Sequence, residues 1–255
     1  MGALGIVSRV ELDIEPTYHA RQDCRTGVPW STVESRLDDM TSAGYSVSMF
    51  TRFDEEQVAH VWVKSRGAEA PELDWMGGSP ATATMHMLRG GEVAAITEQM
   101  GVVGPWLERL PHFRMEFTPS MGAELQSEWF IPRSRALEAI AALRALAPGF
   151  TDLLQATELR TIAGDEQWLS GAYRQDVMGF HFTWVRDEPA VRAAARAIEE
   201  AFVPLGARPH WGKVFEMDAA ALAQAFPRLG DFGELRDRVD PDRVFGNAFL
   251  DRVLA

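Results

Sequence analysis

The chain has 255 residues, 46% of them apolar and 24% charged, with a formal net charge of −12. That length fits one large domain or two small ones with a substantial core, and the composition excludes a disordered chain. The acidic balance, with basic residues scattered rather than clustered, argues against nucleic acid as a partner, and the single cysteine, Cys24, excludes an internal disulfide and fits a reducing, cytoplasmic setting.

In chain order, "GIVSRVELDIEP" alternates polar and apolar residues, and its second half predicts a strand closed by Pro16. This N-terminal stretch is too short for a signal peptide and far too short for a membrane span, so no membrane partner is expected. "TYHARQDC" predicts a second strand. "WSTVESRLDDMTSAG" predicts a helix capped by Ser31 or Thr32, with Gly44 just past its end. "YSVSMFTRF" and "QVAHVWVKS" alternate at period two and predict two more strands. Residues 66–110, rich in Gly, Pro, Ala and Thr, carry no sustained period. A loop that long is functional or flexible, and it is a candidate cover for an opening.

"HFRMEFTP" and "ELQSEWFIP" predict strands. "RSRALEAIAALRALAPG" predicts a helix ended by Pro148-Gly149. "DLLQATELRTIA" and "VMGFHFTWV" predict strands, and "EPAVRAAARAIEEAFVPLG" a helix with Pro189 near its first turn. Two short helices, "DAAALAQAFP" and "DFGELRDRVDP", precede the tail "FGNAFLDRVLA". Helices between hairpin-like strand pairs give an α+β class: one large, mostly antiparallel sheet flanked by helices on one face.

Three segments offer polar side chains for chemistry. On a strand, Glu158 and Arg160 share one face, as do His181 and Thr183, while Phe182 and Trp184 share the opposite one. If the two strands are neighbours, the four polar groups floor a cleft; otherwise they are a surface ion pair and a satisfied core histidine. "RPHWGK" adds His210, Trp211 and Lys213. The chain has only two lysines, Lys64 and Lys213, so a compact cation at this place is either a solvated loop residue or a chosen charge, with His210 and Trp211 bordering a flat ring. No phosphate-binding glycine loop, zinc-type spacing or paired C-x-x-C is present, so no metal is expected.

The stretches "GALGIV", "LPHFRMEFTPSMGAELQSEW", "TELRTIAGDEQWLS", "HFTW", "RPHWGK" and "FPRLGDFGELRDRVDPDRVFGNAFL" together resemble the C-terminal portion of FAD-linked alditol (xylitol) oxidases, relatives of the aldonolactone oxidases. The resemblance implies a substrate (cap) domain over residues 16–255 with a C-terminal helical tail, and a remnant of the FAD-binding domain over residues 1–15. It implies FAD as cofactor, a small polyol or sugar lactone as substrate, and molecular oxygen as acceptor. It places Glu158, Arg160, Thr183 and Lys213 against the substrate, His181 beside them as a further catalytic candidate, and Val7 and His210 against FAD. The glycine-rich FAD-binding domain of that family is not in this sequence; the chain reads as a fragment, half of a split enzyme or a non-catalytic polyol-binding remnant. A carbinol gives up hydride more readily as its hydroxyl proton is withdrawn, and a fixed cation steadies the ring that receives it. Which residue takes the proton, and whether polyol or lactone is the substrate, stay open at this stage.

Overall fold

β-Branched and aromatic residues at period two set the architecture. The computed structural model describes residues 1–117, 122 and 124–254. Its strands are β1 (His19–Pro29), β2 (Ser46–Thr51), β3 (Gln57–Arg66), β4 (Ser79–Pro80), β5 (Gly104–Pro105), β6 (Glu124–Pro132), β7 (Leu154–Ile162), β8 (Val177–Val185) and β9 (Arg208–Pro209). They form one sheet in the order β4-β1-β3-β2-β7-β8-β6-β9, with β5 also pairing β1. Every pairing is antiparallel. The helices are α1 (Trp30–Thr41), α2 (Ala136–Leu146), α3 (Glu188–Phe202), α4 (Ala219–Ala225), α5 (Leu229–Val239) and α6 (Ala248–Val253). The α+β class with a large antiparallel sheet is as the sequence predicts.

Side-chain alternation gives the sheet two unlike faces. On one, Met49, Val61, Trp129, Leu159, Phe180, Phe182 and Trp184 pack against Val33 and Met40 of α1, Ile140 and Leu143 of α2, and Ile198 and Phe202 of α3. Phe182 and Trp184 stack at 5.1 Å, and Phe150 meets both edge-on. Burying each such side chain contributes about 1.5–3 kcal/mol, so this face anchors the fold. The other face carries Lys64, Ser48, Glu158, Arg160, His181, Thr183, Gln126 and Glu128, each one or two residues from a core position.

Residues 81–117 cover part of that second face. Ala81 and Ile96 pack on Cys24, Phe50 and Trp62, with Met85, Met87 and Phe113 beside them. Side-chain bonds to backbone add to two short pairings here, β5 with β1 and the Ile96–Phe113 bridge. The Gln99 amide donates to Met85 O at 3.0 Å and accepts from Met85 N at 2.8 Å, and Thr97 Oγ1 donates to Pro111 O at 2.6 Å. Polar side chains that bond main chain outside any repeat explain why no period marks the segment.

Several local expectations are corrected. No strand forms before residue 19; Ile6, Val7, Val10, Leu12 and Ile14 are exposed, and alternation without a pairing partner makes no ladder. The stretch 112–117 makes only an isolated bridge, Phe113 with Ile96, and 118–119 lie outside the described residues. Helix α1 has no side-chain cap; it starts directly from β1 at Trp30, whose burial and stacking on Phe53 at 5.7 Å outweigh the Ser31 or Thr32 option. Elsewhere caps are made: Asp187, Asp218 and Asn247, the chain's single asparagine, accept from the backbones of α3, α4 and α6. The C-terminal helices gather around Phe215, Met217, Leu222 and Phe226, a second apolar cluster.

Candidate active site

Register brings the polar groups together. Glu158 on β7 lies directly opposite His181 on β8, and His181 lies directly opposite Glu128 on β6. Three adjacent central strands therefore present carboxylate, imidazole and carboxylate in one row. Arg160, two residues along β7, reaches across β8. Its Nη1 donates to Glu158 at 2.9 Å and its Nη2 to Glu128 at 2.8 Å. Gly179, opposite Arg160, leaves room for that crossing: a Cβ there would stand 3.3 Å from Glu128 Oε1 and 3.0 Å from Ile162 Cδ1.

The edge of the sheet supplies the next cation. The chain after β9 runs along β6, with His210 N donating to Glu128 O at 2.9 Å and Val214 N to Gln126 O at 2.8 Å. This places the Lys213 ammonium 2.7 Å from Glu128 Oε2. At the other end, Ser48 Oγ donates to Glu158 Oε1 at 2.7 Å, and His112 Nε2 lies 3.0 Å from the same oxygen. Lys64 Nζ stands 2.8 Å from His112 Nδ1. One polar chain thus runs Lys64, His112, Glu158, Arg160, Glu128, Lys213, and the sequence's only two lysines are its ends.

Burial and neighbours set the charges. Glu158 is 5% exposed. Burial opposes its charge, but the His112 hydrogen bond, the Arg160 charge and the Ser48 hydroxyl together hold the carboxyl well below the usual range. Burial likewise opposes ionisation of Glu128, and Arg160 and Lys213 reverse the sign and hold it low. Burial, then the Lys213 charge, pushes the His181 imidazole down to about 4, so it is neutral at pH 7. Burial also keeps His112 neutral, against the pull of Glu158. At neutral pH two carboxylates and three cations make a row with one net positive charge.

A cavity of about 630 Å³ opens over this row, lined by Glu158, His181, Thr183, Gln126, His112 and the apolar Phe50, Leu88, Phe113 and Phe117 among others. An apolar enclosure with a few convergent polar groups is the usual form of a small-molecule site. Glu158, His181 and Thr183 line it directly; Arg160 and Lys213 are outside its lining, Arg160 bonded to Glu158 and both bonded to Glu128. His210 contributes its backbone to the edge, and its ring lies 6.1 Å from that of Phe130. Val7 is 76% exposed on the N-terminal segment and does not line this cavity. Trp211 also turns away. It donates to Leu169 O at 2.8 Å and packs on Phe226, so it anchors the second cluster.

Sequence reasoning missed Glu128, Gln126, Ser48, His112 and Lys64. Glu128 and Gln126 alternate with Ser127 and Trp129 in "ELQSEW", so period two marks their shared face, but only the strand order puts it beside His181. Lys64 had one signal, its rarity. His112 had none, because a non-repeating segment delivers it. Among the described residues no group of three or more His, Cys, Asp or Glu is placed to hold a metal, and no helix is long and apolar enough to cross a membrane.

Comparison with known proteins agrees with the site's chemistry. Over its whole length the chain is 45% identical to alditol oxidase of a Streptomyces species (strain IKD472), covering 60% of that protein. It is 28% identical to L-gulono-1,4-lactone dehydrogenase of Mycobacterium tuberculosis, across the whole chain and 62% of the relative. Across about half of the chain (49%) it is 26% identical to L-gulonolactone oxidase of Mus musculus, covering 30% of that protein. The chain thus spans less than two thirds of the length of these relatives. The model of the D-arabinono-1,4-lactone oxidase family matches residues 121–253, just over half of the chain and the part that holds Glu128, Glu158, Arg160, His181 and Lys213, and the chain belongs to that family.

Proposed function

We propose that this chain is the substrate-binding part of an FAD-dependent oxidase that converts the terminal CH–OH of an alditol such as xylitol or sorbitol to an aldose, with oxygen as acceptor and hydrogen peroxide as product. The observation that carries the reading is Glu158 directly opposite His181 on the floor of a cavity with apolar walls. The 45% identity to an alditol oxidase over every residue of the chain supports the alditol as substrate. The family match favours an aldonolactone as the second reading.

The residues divide the work by charge state. Glu158 is held as an anion by two donors on Oε1 and by Arg160 on Oε2, so it accepts hydrogen bonds from polyol hydroxyls and is a poor proton acceptor. His181 is neutral, and its Nδ1 lies 3.9 Å from Glu158 Oε2. Of the two it is the better proton acceptor, so it takes the proton of the reacting hydroxyl, with the adjacent carboxylate offsetting part of what burial and Lys213 cost the imidazolium. Thr183 adds a hydroxyl to the cavity wall, and Arg160 and Lys213 set positive charge near the oxygen as it loses its proton. The net positive charge of the row fits a cofactor that becomes electron-rich during the reaction, with His210 and Lys213 at the sheet edge as the residues to border it. When bound, FAD supplies the two-electron acceptor for the carbinol carbon. We further propose that residues 1–15, with their uncovered apolar side chains, pack against the FAD-carrying part, that 16–255 is the substrate domain, and that the protein works in the cytoplasm.

The test is a peroxide assay on the protein supplied with FAD, run with xylitol, sorbitol and D-arabinono-1,4-lactone, beside calorimetry of each ligand. Xylitol and sorbitol are expected to bind and to give peroxide, with both lost in Glu158→Gln. Peroxide from the lactone alone selects the second reading. Polyol binding without peroxide under any loading identifies a non-catalytic polyol-binding module, and binding of none of the three overturns all of these readings.

A further inference from the structure

A lysine at 2% exposure is unusual, because an ammonium gives up much of its hydration on burial. Lys64 on β3 tolerates this by donating to Leu110 O at 2.5 Å and to His112 Nδ1 at 2.8 Å. Its other charged or titratable neighbours are Glu158 and Arg160 from β7 and Cys24 from β1, with Gln22 of β1 directly opposite in register. Burial pushes its ammonium down to about 8, so it stays mainly charged at pH 7.

We propose that Lys64 and His112 are positioning residues for the site: Lys64 fixes His112 as the tautomer protonated on Nε2, and His112 thereby fixes the orientation of the Glu158 carboxylate. An ammonium has donors and no acceptor, so the Nδ1 it faces must present its lone pair. A neutral ring then carries its one proton on Nε2, which points at Glu158 Oε1. Phe50 and Trp62 hold the ring edge-on, with centroids at 5.7 and 5.3 Å, so its plane is set by packing as well. With Ser48 also on Oε1, that oxygen is saturated. Only Oε2 keeps an open lone pair, shared between Arg160 and the cavity. The pair therefore selects which carboxylate oxygen meets a ligand. Glu158 as a substrate group rests on the function proposed above; the tautomer chain does not.

The measurement is ¹⁵N NMR of the protein labelled at histidine, with the His112 signal assigned by its loss in His112→Gln. In the unchanged protein at pH 7 the ring is expected to show an unprotonated Nδ1 and a protonated Nε2. Lys64→Met is expected to mix the tautomers and to weaken xylitol binding roughly tenfold, the scale of one charge-assisted hydrogen bond. Ser48→Ala is expected to weaken binding while leaving the His112 tautomer alone. A ring protonated on Nδ1 in the unchanged protein overturns the inference. A Lys64→Met protein with weakened binding and an unaltered His112 tautomer also overturns it, since that is what a merely structural lysine would give. Absence of xylitol binding with the expected tautomer sinks the alditol reading and leaves the positioning pair intact.

Discussion

Replacing Glu128 by Gln tests how the row of charges is held. Glu128 is 2% exposed and accepts from Arg160 at 2.8 Å and Lys213 at 2.7 Å. The amide of the Glu128→Gln protein would keep an acceptor oxygen for one of them. Arg160 retains Glu158, so Lys213, with 16% of its side chain exposed, is the group left without a counter-ion. Breaking a buried pair costs about 3–5 kcal/mol. The remaining amide acceptor and the partial exposure of both cations bring this to about 2 kcal/mol. For a protein of this size that is a fall in Tm of about 4–8 °C at pH 7. The sign with pH follows from the direction of the shift. Glu128 in the folded chain titrates below its ordinary 4.5, so its contribution is present above that value and is lost as pH falls through the folded pKa. Thermal melts of both proteins at pH 7 and in steps downward from about pH 4.5 make the comparison. Equal stability at pH 7, or a gap that does not close in acid, would refute the argument.

Three further outcomes are expected. Gly179→Ala brings a methyl against Glu128 Oε1 and Ile162 Cδ1, both able to yield slightly, so a loss of about 1 kcal/mol and weaker polyol binding should appear together in melts and calorimetry. Turnover of the FAD-loaded protein should stay level from about pH 7 down to about pH 5, because His181, pushed down to about 4, remains neutral throughout; a step near pH 6.5 would point to a different proton acceptor. The Cys24 thiol, buried and pushed up to about 12, should resist disulfide-exchange reagents until the chain unfolds, so labelling at the rate of a solvent-exposed thiol would contradict its packing beneath residues 81–117.

Period-two alternation made the strands legible, and with them the split that turns Glu158, Arg160, His181 and Thr183 one way and Phe182 and Trp184 the other. It also misled where alternation met no partner strand, as over residues 5–16. Strand order was not written in any local pattern. Neighbourhood of β6 with β8 is a long-range choice, and it alone brings Glu128 to the centre of the row. The rarity of lysine pointed to Lys213 for a reason that holds equally for Lys64, yet a lysine on a strand among Val61, Trp62 and Val63 gives no local sign of facing a histidine from a segment with no period. His112 and the covering segment are held by side-chain bonds to backbone, which follow no repeat. Val7 was carried by family likeness alone, and its exposure separates it from the groups that share a cavity.

The most direct test is the structure of the protein crystallised with xylitol. Two cavities of similar size flank residues 84–91: one of about 630 Å³ floored by Glu158, His181 and Thr183, and one of about 620 Å³ beside His60, Arg52 and Asp54. The account predicts xylitol in the first, with hydroxyls hydrogen-bonded to Glu158 Oε2 and to the His181 ring. Xylitol in the second cavity, or in the first with no hydroxyl reaching Glu158, would contradict it.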